Sequence, residues 1–252
     1  MYMNAYGKTR IVVCEDAWDL GGRAAGAVAS TMRTLLEQQD EVRMIFAAGE
    51  SQGTFLDALA QEPDLAWDRV VAFNMDDFWD PHIPEQYTCG FQTRTQLYEK
   101  VHPGRIELVR FDAPDPEAEA ARFERVLRAA LPIDILCQGI GTSGHLALDE
   151  PGQAQFETDR LVKVVDIHEQ TERQLREDPN FKALGYIPEK GITMTIPAML
   201  SARHIFTIVP LGLKRPIIAR VLATPTPTEE IPATILSQHE GVLFLDRDSW
   251  PS

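Results

Sequence analysis

The sequence is poor in cysteine, and its cysteines show no spacing typical of a metal site. Its 252 residues include three, Cys14, Cys89 and Cys137, which lie far apart along the chain. Because the number is odd and the spacing is wide, we expect neither a disulfide framework nor a bound metal. A reducing cytoplasm is the compartment that fits this composition best.

Basic residues and long apolar runs are also scarce. Lys and Arg total 24 against 38 Asp and Glu, which gives a formal net charge of -14. Nucleic acids and anionic membranes bind through clustered basic side chains, so neither is expected as a partner. No run approaches the roughly 18 apolar residues of a membrane span, and the N-terminal residues lack the apolar core of a secretion signal. We therefore expect a cytoplasmic protein that binds a small molecule.

What the sequence does contain is an alternation of short apolar stretches with longer segments of helical periodicity. This pattern predicts strands at 10–14, 42–47, 69–75, 106–109, 133–137, 161–165, 192–195, 204–209 and 242–245. It predicts helices at 17–38, through 55–59, and at 91–101, 116–130, 168–176, 214–222 and 232–239. Strands that alternate with helices indicate right-handed crossovers and a mainly parallel sheet.

The chain is predicted to form one domain over residues 1–252. At 44% hydrophobic residues it can bury a full core, and it contains no internal repeat. The Pro/Thr cluster at 224–228 is interpreted as an exposed loop, because too little chain follows it to form a second core. The expected fold is a three-layer αβα sandwich with a Rossmann-like sheet, in which ligands bind at the carboxyl ends of the strands.

Two acids, Asp76 and Asp77, stand where the predicted strand 69–75 ends. A carboxylate at a strand end can lie at the mouth of a site and abstract a proton from a carbon next to a carbonyl. The alternative is that the acids cap the following turn. The spacing alone leaves both interpretations open.

The loop at 138–151 is more specific. It contains Gly139, Gly141 and Gly144, which allow tight backbone turns after a strand, and His145 stands five residues before Glu150. A histidine that titrates near neutrality, oriented by a carboxylate, makes a competent proton shuttle. A solvated loop histidine is the alternative interpretation, and the flanking residues favour the shuttle.

Three segments resemble the signature segments of the glucosamine-6-phosphate deaminase/isomerase family, in the same order. They are residues 73–78 (FNMDDF), 139–151 (GIGTSGHLALDEP) and 208–214 (IVPLGLK). The same superfamily includes 6-phosphogluconolactonases, in which the histidine is typically followed by Thr-Ala-Ser-Leu-Phe-Pro. The stretch 146–151 (LALDEP) is similar to the deaminase form, with the carboxylate of Glu150 as the discriminating feature.

The resemblance implies a role for each matching position. Asp76 matches the base that moves a proton between C2 and C1 of an open-chain sugar, His145 matches the residue that opens the ring, and Glu150 matches the acid that supports it. The remaining positions are assigned to the substrate and its phosphate, and they are Lys214, Gly49, Ser51, Asp77, Gly141, Gly144 and Arg173, the last preferred over Arg176. The resemblance implies no metal or organic cofactor, because the carbonyl or imine of the substrate accepts the electrons.

Two residues depart from the family pattern. Ser143 stands where the family usually has an Asp that helps hold the histidine, and it is kept here among the candidate catalytic residues. Glu50 places an acid in the loop that should receive a phosphate dianion, where its charge repels the ligand unless the side chain points away.

Three functions therefore stay open: isomerisation of an amino sugar 6-phosphate with or without deamination, hydrolysis of a sugar lactone, and binding of a sugar phosphate without turnover. A homo-oligomer is a further expectation, since the family contains several assembly states.

Overall fold

The computed structural model describes residues 5–251 of the chain. Numbered along the chain, its strands are β1 (Ala5–Tyr6), β2 (Thr9–Cys14), β3 (Val42–Phe46), β4 (Val70–Asn74), β5 (Asp76–Trp79), β6 (Arg105–Glu107), β7 (Ile135–Gln138), β8 (Val162–Asp166), β9 (Lys190–Met194), β10 (His204–Val209) and β11 (Gly241–Asp246). Within this part of the chain, eight strands form one sheet in the order β1-β2-β11-β10-β7-β3-β4-β6. The β1–β2 pair is antiparallel and the other neighbouring pairs are parallel.

Helices cover both faces of this sheet. They are α1 (Ala17–Leu36), α2 (Gly53–Ala60), α3 (Cys89–Thr93), α4 (Glu99–Val101), α5 (Pro116–Ala130), α6 (Glu169–Glu177), α7 (Pro179–Leu184), α8 (Ile196–Leu200) and α9 (Arg215–Leu222). A π-helical turn, Arg94–Tyr98, joins α3 to α4. Among the described residues, none of these helices is both long enough and apolar enough to cross a membrane.

Two large apolar clusters lie on opposite sides of the sheet, and β3 shows why. Its Met44 and Phe46 pack in the cluster that contains α1, whereas the intervening Ile45 packs in the cluster that contains Phe123 of α5. Successive side chains of a strand point to opposite faces, so a strand that is apolar throughout needs cover on both. This arrangement confirms the expected three-layer sandwich with a mainly parallel sheet.

The structure corrects the predicted strand 69–75. The chain leaves the large sheet after Asn74, and the acids that follow begin a separate strand, β5. β5 pairs antiparallel with β9, and β9 pairs antiparallel with β8, which makes a small three-stranded sheet. The predicted strands at 161–165 and 192–195 therefore belong to this small sheet and not to the parallel one.

Smaller differences concern helix type and short elements. The predicted helix at 232–239 is a 3-10 helix, Pro232–Gln238, and the predicted helix at 91–101 is interrupted by the π-helical turn. The elements β1, α7 and α8 were not predicted from the sequence. Each has six residues or fewer, which is too short for a periodic pattern to be distinctive.

Candidate active site

A pocket of about 270 Å³ opens at the carboxyl edge of the parallel sheet, where the loops after β3, β4, β7 and β10 meet. Six of the predicted site residues line it, and they are Gly49, Ser51, Asp76, Gly141, His145 and Lys214. The elements that carry them are far apart in the chain but end at one edge of the sheet. The predicted location of the site at the strand ends therefore matches the position of the pocket.

Asp76 is the first residue of β5 and its side chain lines the pocket. The residue is only 9% exposed. Burial, together with the negative charges of Asp77 and Asp149, raises the pKa of Asp76 to about 7. Near neutral pH this carboxyl can therefore both accept and return a proton, which is what proton transfer between neighbouring carbons requires.

Asp77 does not reach the pocket. Its side chain is buried, and its two carboxylate oxygens accept hydrogen bonds from the backbone N–H groups of Phe78 (2.8 Å), Cys89 (2.9 Å) and Gly90 (2.8 Å). Two of these donors belong to the first turn of α3, where unpaired N–H groups favour a negative charge. Asp77 therefore binds the N-terminal N–H groups of α3, a role close to the turn-capping alternative.

The glycines of the 139–144 loop make room for the imidazole of His145. A Cβ atom at Gly141 would overlap the ring at Nε2, and the N–H of Gly141 donates to the carbonyl of His145 at 3.0 Å. Gly144 has a φ of 95°, and a Cβ there would lie 2.9 Å from a methyl group of Ile231. Gly141 therefore borders the ligand space, while Gly144 shapes the turn from behind.

His145 is held in one tautomer. Its Nδ1 contacts the carbonyl oxygen of Ala147, so Nδ1 carries the hydrogen and Nε2 is the free acceptor. Nε2 lies 3.7 Å from Oε1 of Glu150. Burial lowers the pKa of His145, and the charge of Glu150 partly opposes that effect. The neutral ring consequently presents a basic nitrogen to the pocket.

Glu150 is almost completely buried and does not line the pocket itself. Its carboxylate accepts hydrogen bonds from the hydroxyl groups of Ser143 and Thr171. Oε2 of Glu150 also lies 3.8 Å from Nδ1 of His168. The predicted pair of His145 and Glu150 is therefore brought together in space, and Ser143 bonds to the other carboxylate oxygen of Glu150.

Lys214 ends the 3-10 helix Gly212–Lys214 that precedes α9. The residue is 7% exposed, and its ammonium group makes no hydrogen bond or ion pair with any described residue. Burial lowers the pKa of Lys214 to about 8, against the opposing charges of Glu150 and Glu50. A buried cation without a protein partner that lines a pocket is suited to an anionic ligand.

The loop after β3 also borders the pocket. Gly49 has a φ of 100°, and its N–H donates to the side-chain oxygen of Gln92 at 3.2 Å. Glu50 is exposed, and Ser51 accepts a hydrogen bond from the amide of Gln52 at 3.3 Å. Both predicted positions of this loop border the pocket, and so does the acid that departs from the family pattern.

Arg173 lies on the outer face of α6, with 74% of its side chain exposed, and contacts Glu169. Arg176 pairs with Glu172 on the same outer side. The residues of this segment that line the pocket follow helical spacing, and they are Thr171, Gln174, Leu175 and Asp178. The described structure therefore does not bring the predicted second phosphate contact to the pocket.

A family model described as glucosamine-6-phosphate isomerases/6-phosphogluconolactonase matches residues 15–245 of the chain. The chain belongs to this family. Among the family's members, glucosamine-6-phosphate deaminase from Exiguobacterium sp. is 31% identical over 214 residues, which cover 83% of this chain and 81% of the relative. Glucosamine-6-phosphate deaminase 1 from Bacillus subtilis is 27% identical over 245 residues, which cover 95% of this chain and 98% of the relative.

Solved structures of the glucosamine-6-phosphate isomerase/6-phosphogluconolactonase family share the fold. A monomeric glucosamine-6-phosphate deaminase superimposes with a TM-score of 0.83 at 23% identity, over 95% of this chain and 98% of that one. A 6-phosphogluconolactonase from Thermotoga maritima gives 0.73 at 20% identity, over 95% and 99%. These findings confirm the resemblance drawn from the three segments. Because one fold carries both activities in those proteins, the residues of the site must decide between them.

Several residues around the site were not predicted from the sequence. Thr171, which contacts Glu150, and Gln174, which lines the pocket, are three residues apart on α6, and this spacing marks one helical face. Gln92 reaches the 49–52 loop from α3. No local pattern signals this contact, because Gln92 is 43 residues from its partner.

Proposed function

We propose that this chain acts as a glucosamine-6-phosphate deaminase-type enzyme, which converts a 2-amino sugar 6-phosphate to a ketose phosphate with release of ammonia. The observation that carries the proposal is the convergence of Asp76, His145 and Lys214 on one pocket. A carboxyl group near neutrality, a neutral imidazole and a buried cation are the groups that ring opening, enolisation and phosphate binding require.

Ring opening is assigned to His145. The sugar enters as a closed ring, so a proton must leave the anomeric hydroxyl and another must reach the ring oxygen. Nε2 of the neutral imidazole accepts the first proton, and the resulting imidazolium returns a proton to the ring oxygen. The carboxylate of Glu150, 3.7 Å from Nε2, stabilises the charged ring between these two transfers.

Enolisation is assigned to Asp76. In the open chain the C2 proton is acidic because it is adjacent to the C1 carbonyl, and Asp76 removes it. The same carboxyl then delivers the proton to C1, and a proton passes from the 2-amino group to O1, which leaves a hydroxyl group at C1 and an imine at C2. Water adds to this imine and ammonia departs, so that a ketose results. The carbonyl of the substrate accepts the electron pair throughout, so this route uses no bound cofactor.

Phosphate binding is assigned to Lys214, together with the backbone and hydroxyl of the Gly49 to Ser51 loop, which borders the same pocket. The buried ammonium group gains a partner when the anion binds, which favours its charged form. Glu50 in this loop disfavours the dianion, so the balance between the charges of Lys214 and Glu50 sets the affinity for the phosphate.

Glu150 also favours a deaminase over a lactonase. In lactone hydrolysis, too, the base becomes a charged acid and returns a proton to the leaving ring oxygen, so the proton transfers alone do not separate the two reactions. The deaminase is favoured because the stretch 146–151 carries the buried carboxylate of Glu150, held by two hydroxyl groups, where the lactonase form has no acid. Cytoplasmic location and assembly into a homo-oligomer stay predictions that fit a metabolic enzyme.

The test is a substrate panel assayed for three products: ammonia, ketose phosphate and hydrolysed lactone. Glucosamine 6-phosphate should yield ammonia and ketose in equal amounts, with little hydrolysis of 6-phosphogluconolactone. Hydrolysis of the lactone alone would favour the lactonase. Binding of sugar phosphates, measured by calorimetry, with no product in any assay would favour the non-catalytic binding protein.

A further inference from the structure

The small sheet carries a row of three polar side chains that the proposed mechanism uses only in part. Asp76 of β5 is the register partner of Thr193 in β9, and Thr193 is the register partner of Lys163 in β8. Directly paired residues in an antiparallel sheet project from the same face. The three side chains therefore point together toward the loop that carries His145 and Glu150.

Two members of this row hold that loop. The hydroxyl oxygen of Thr193 accepts a hydrogen bond from the N–H of Leu148 at 3.2 Å, and the next residue, Asp149, forms an ion pair with Lys163. The ammonium group of Lys163 also donates to the carbonyl of Gln153 at 2.6 Å. One sheet thus supports Asp76 at one end of the row and fixes the 148–153 segment at the other.

Asp149 is fully buried, with 0% exposure, and neither carboxylate oxygen has a hydrogen bond of good geometry among the described residues. The ion pair with Lys163 is thus its main compensation. A buried carboxylate in such surroundings is costly, and hydrophobic residues of similar size would stabilise the fold as well or better. This cost points to a role in the site.

We propose that the ion pair between the buried Asp149 and the partly exposed Lys163 is a positioning element of the active site, which locks the His145–Glu150 loop onto the sheet that presents Asp76. The proposal rests on the proposed function for its meaning in catalysis. Asp149 acts through space on Asp76 as well, because its negative charge opposes the ionisation of the neighbouring carboxyl.

The effect of Asp149 on the pKa of Asp76 depends on the other titratable groups around Asp76. The titratable groups that share its pocket or act on its charge come from several elements, and they are Asp77, Cys89, His145, Asp149, Glu50, Asp178 and Lys214. Asp77 and Asp149 are the neighbours that raise the pKa of Asp76 beyond the effect of burial. Asp77 is bound by three N–H groups of the backbone, so Asp149 is the neighbour that can be neutralised with least disturbance of α3.

The test compares the variant Asp149→Asn with the control variant Asp134→Asn, and both are measured without substrate. Asp134 is also 0% exposed and paired with an arginine, Arg203 at 3.3 Å, but it precedes β7 at the opposite edge of the sheet. The carboxyl of Asp76 is titrated by carbon NMR, and hydrogen exchange is measured at the N–H of Leu148. A double variant, Asp149→Asn with Lys163→Met, leaves no unpaired charge and serves if the single variant folds poorly.

We expect Asp149→Asn and the double variant to lower the pKa of Asp76 and to speed exchange at Leu148 at least about tenfold relative to Asp134→Asn, after correction for global stability. Identical titration of Asp76 and identical exchange in the two Asn variants would overturn the proposal. Because neither readout needs turnover, an inactive wild type would contradict the proposed function and leave this result standing. If the wild type is active, the kcat of Asp149→Asn should be about 10²-fold lower than that of the wild type, with KM little changed.

Discussion

The hydroxyl of Ser143 donates a hydrogen bond to the carboxylate of Glu150, and its oxygen accepts from the backbone N–H of His145 at 3.3 Å. The serine that departs from the family pattern therefore acts on the imidazole through Glu150. It orients the acid and supplies no charge of its own. In the proposed mechanism, the ring-opening step then depends on how well Glu150 is held.

Ser143→Ala should lower kcat for a closed-ring substrate about tenfold, because a buried carboxylate loses one of its two hydroxyl donors at a cost of about 1–3 kcal/mol. Steady-state kinetics with glucosamine 6-phosphate measure this effect. Thr142→Val is the matched control, since that hydroxyl lies in the same loop but bonds to Gln174. Equal kcat values for the two variants would show that Ser143 does not support Glu150 in catalysis.

Lys214→Ala should raise KM for phosphorylated sugars at least about tenfold, with a smaller effect on kcat, because it removes a charge-assisted contact to the phosphate. The opposite change is available in the loop after β3. Glu50→Gln removes a repelling charge, so its KM for the same substrate should fall. If both variants keep the KM of the wild type, the anion binds somewhere else.

The pH dependence follows from two pKa values. Burial and nearby acids raise the pKa of Asp76 to about 7, and burial lowers the pKa of Lys214 to about 8. The base must be deprotonated and the lysine protonated, so kcat/KM should rise with pH through about 7 and fall through about 8. Lys214→Arg should abolish the falling limb, because a guanidinium group stays charged. A falling limb that persists in this variant would assign it to another group.

The fold and the location of the site could be predicted from the sequence, and the small sheet could not. Strand β3 is apolar throughout, and such strands between helices leave few alternatives to a covered parallel sheet. The strand that begins at Asp76 looks like a continuation of Val70–Asn74, because a strand pattern does not reveal its pairing partner. Local periodicity therefore predicts elements better than it predicts which sheet they join.

The site shows the same limit at the level of side chains. Asp76, His145 and Lys214 could be identified because each ends or follows an apolar strand, and such ends meet at one edge. Arg173 was misplaced because only the face of α6 decides which side chains reach the pocket. The pair of Asp149 and Lys163 had no sequence signal, since it forms across the fold between a loop and β8.

Asp76→Asn should stabilise the protein at pH 8 more than at pH 5. The folded state holds the proton of Asp76 up to a pKa of about 7, whereas the unfolded chain releases it near the ordinary carboxyl pKa of 3.8. Ionisation therefore costs stability as pH rises between these values, and the amide avoids the cost. We expect the free energy of unfolding of Asp76→Asn, relative to that of the wild type, to grow by about 2 kcal/mol from pH 5 to pH 8. Urea denaturation at each pH measures it, and an equal effect at both would contradict the raised pKa.

The proposed mechanism gives Asp76 the role of the base that moves the proton between C2 and C1. Its most direct test is the rate of ammonia and ketose release from glucosamine 6-phosphate by the wild type and by Asp76→Asn, with binding of the substrate measured in parallel. The variant should bind glucosamine 6-phosphate with similar affinity and lose at least about 10²-fold in kcat. Turnover by the variant within a few-fold of the wild type would show that Asp76 is not this base.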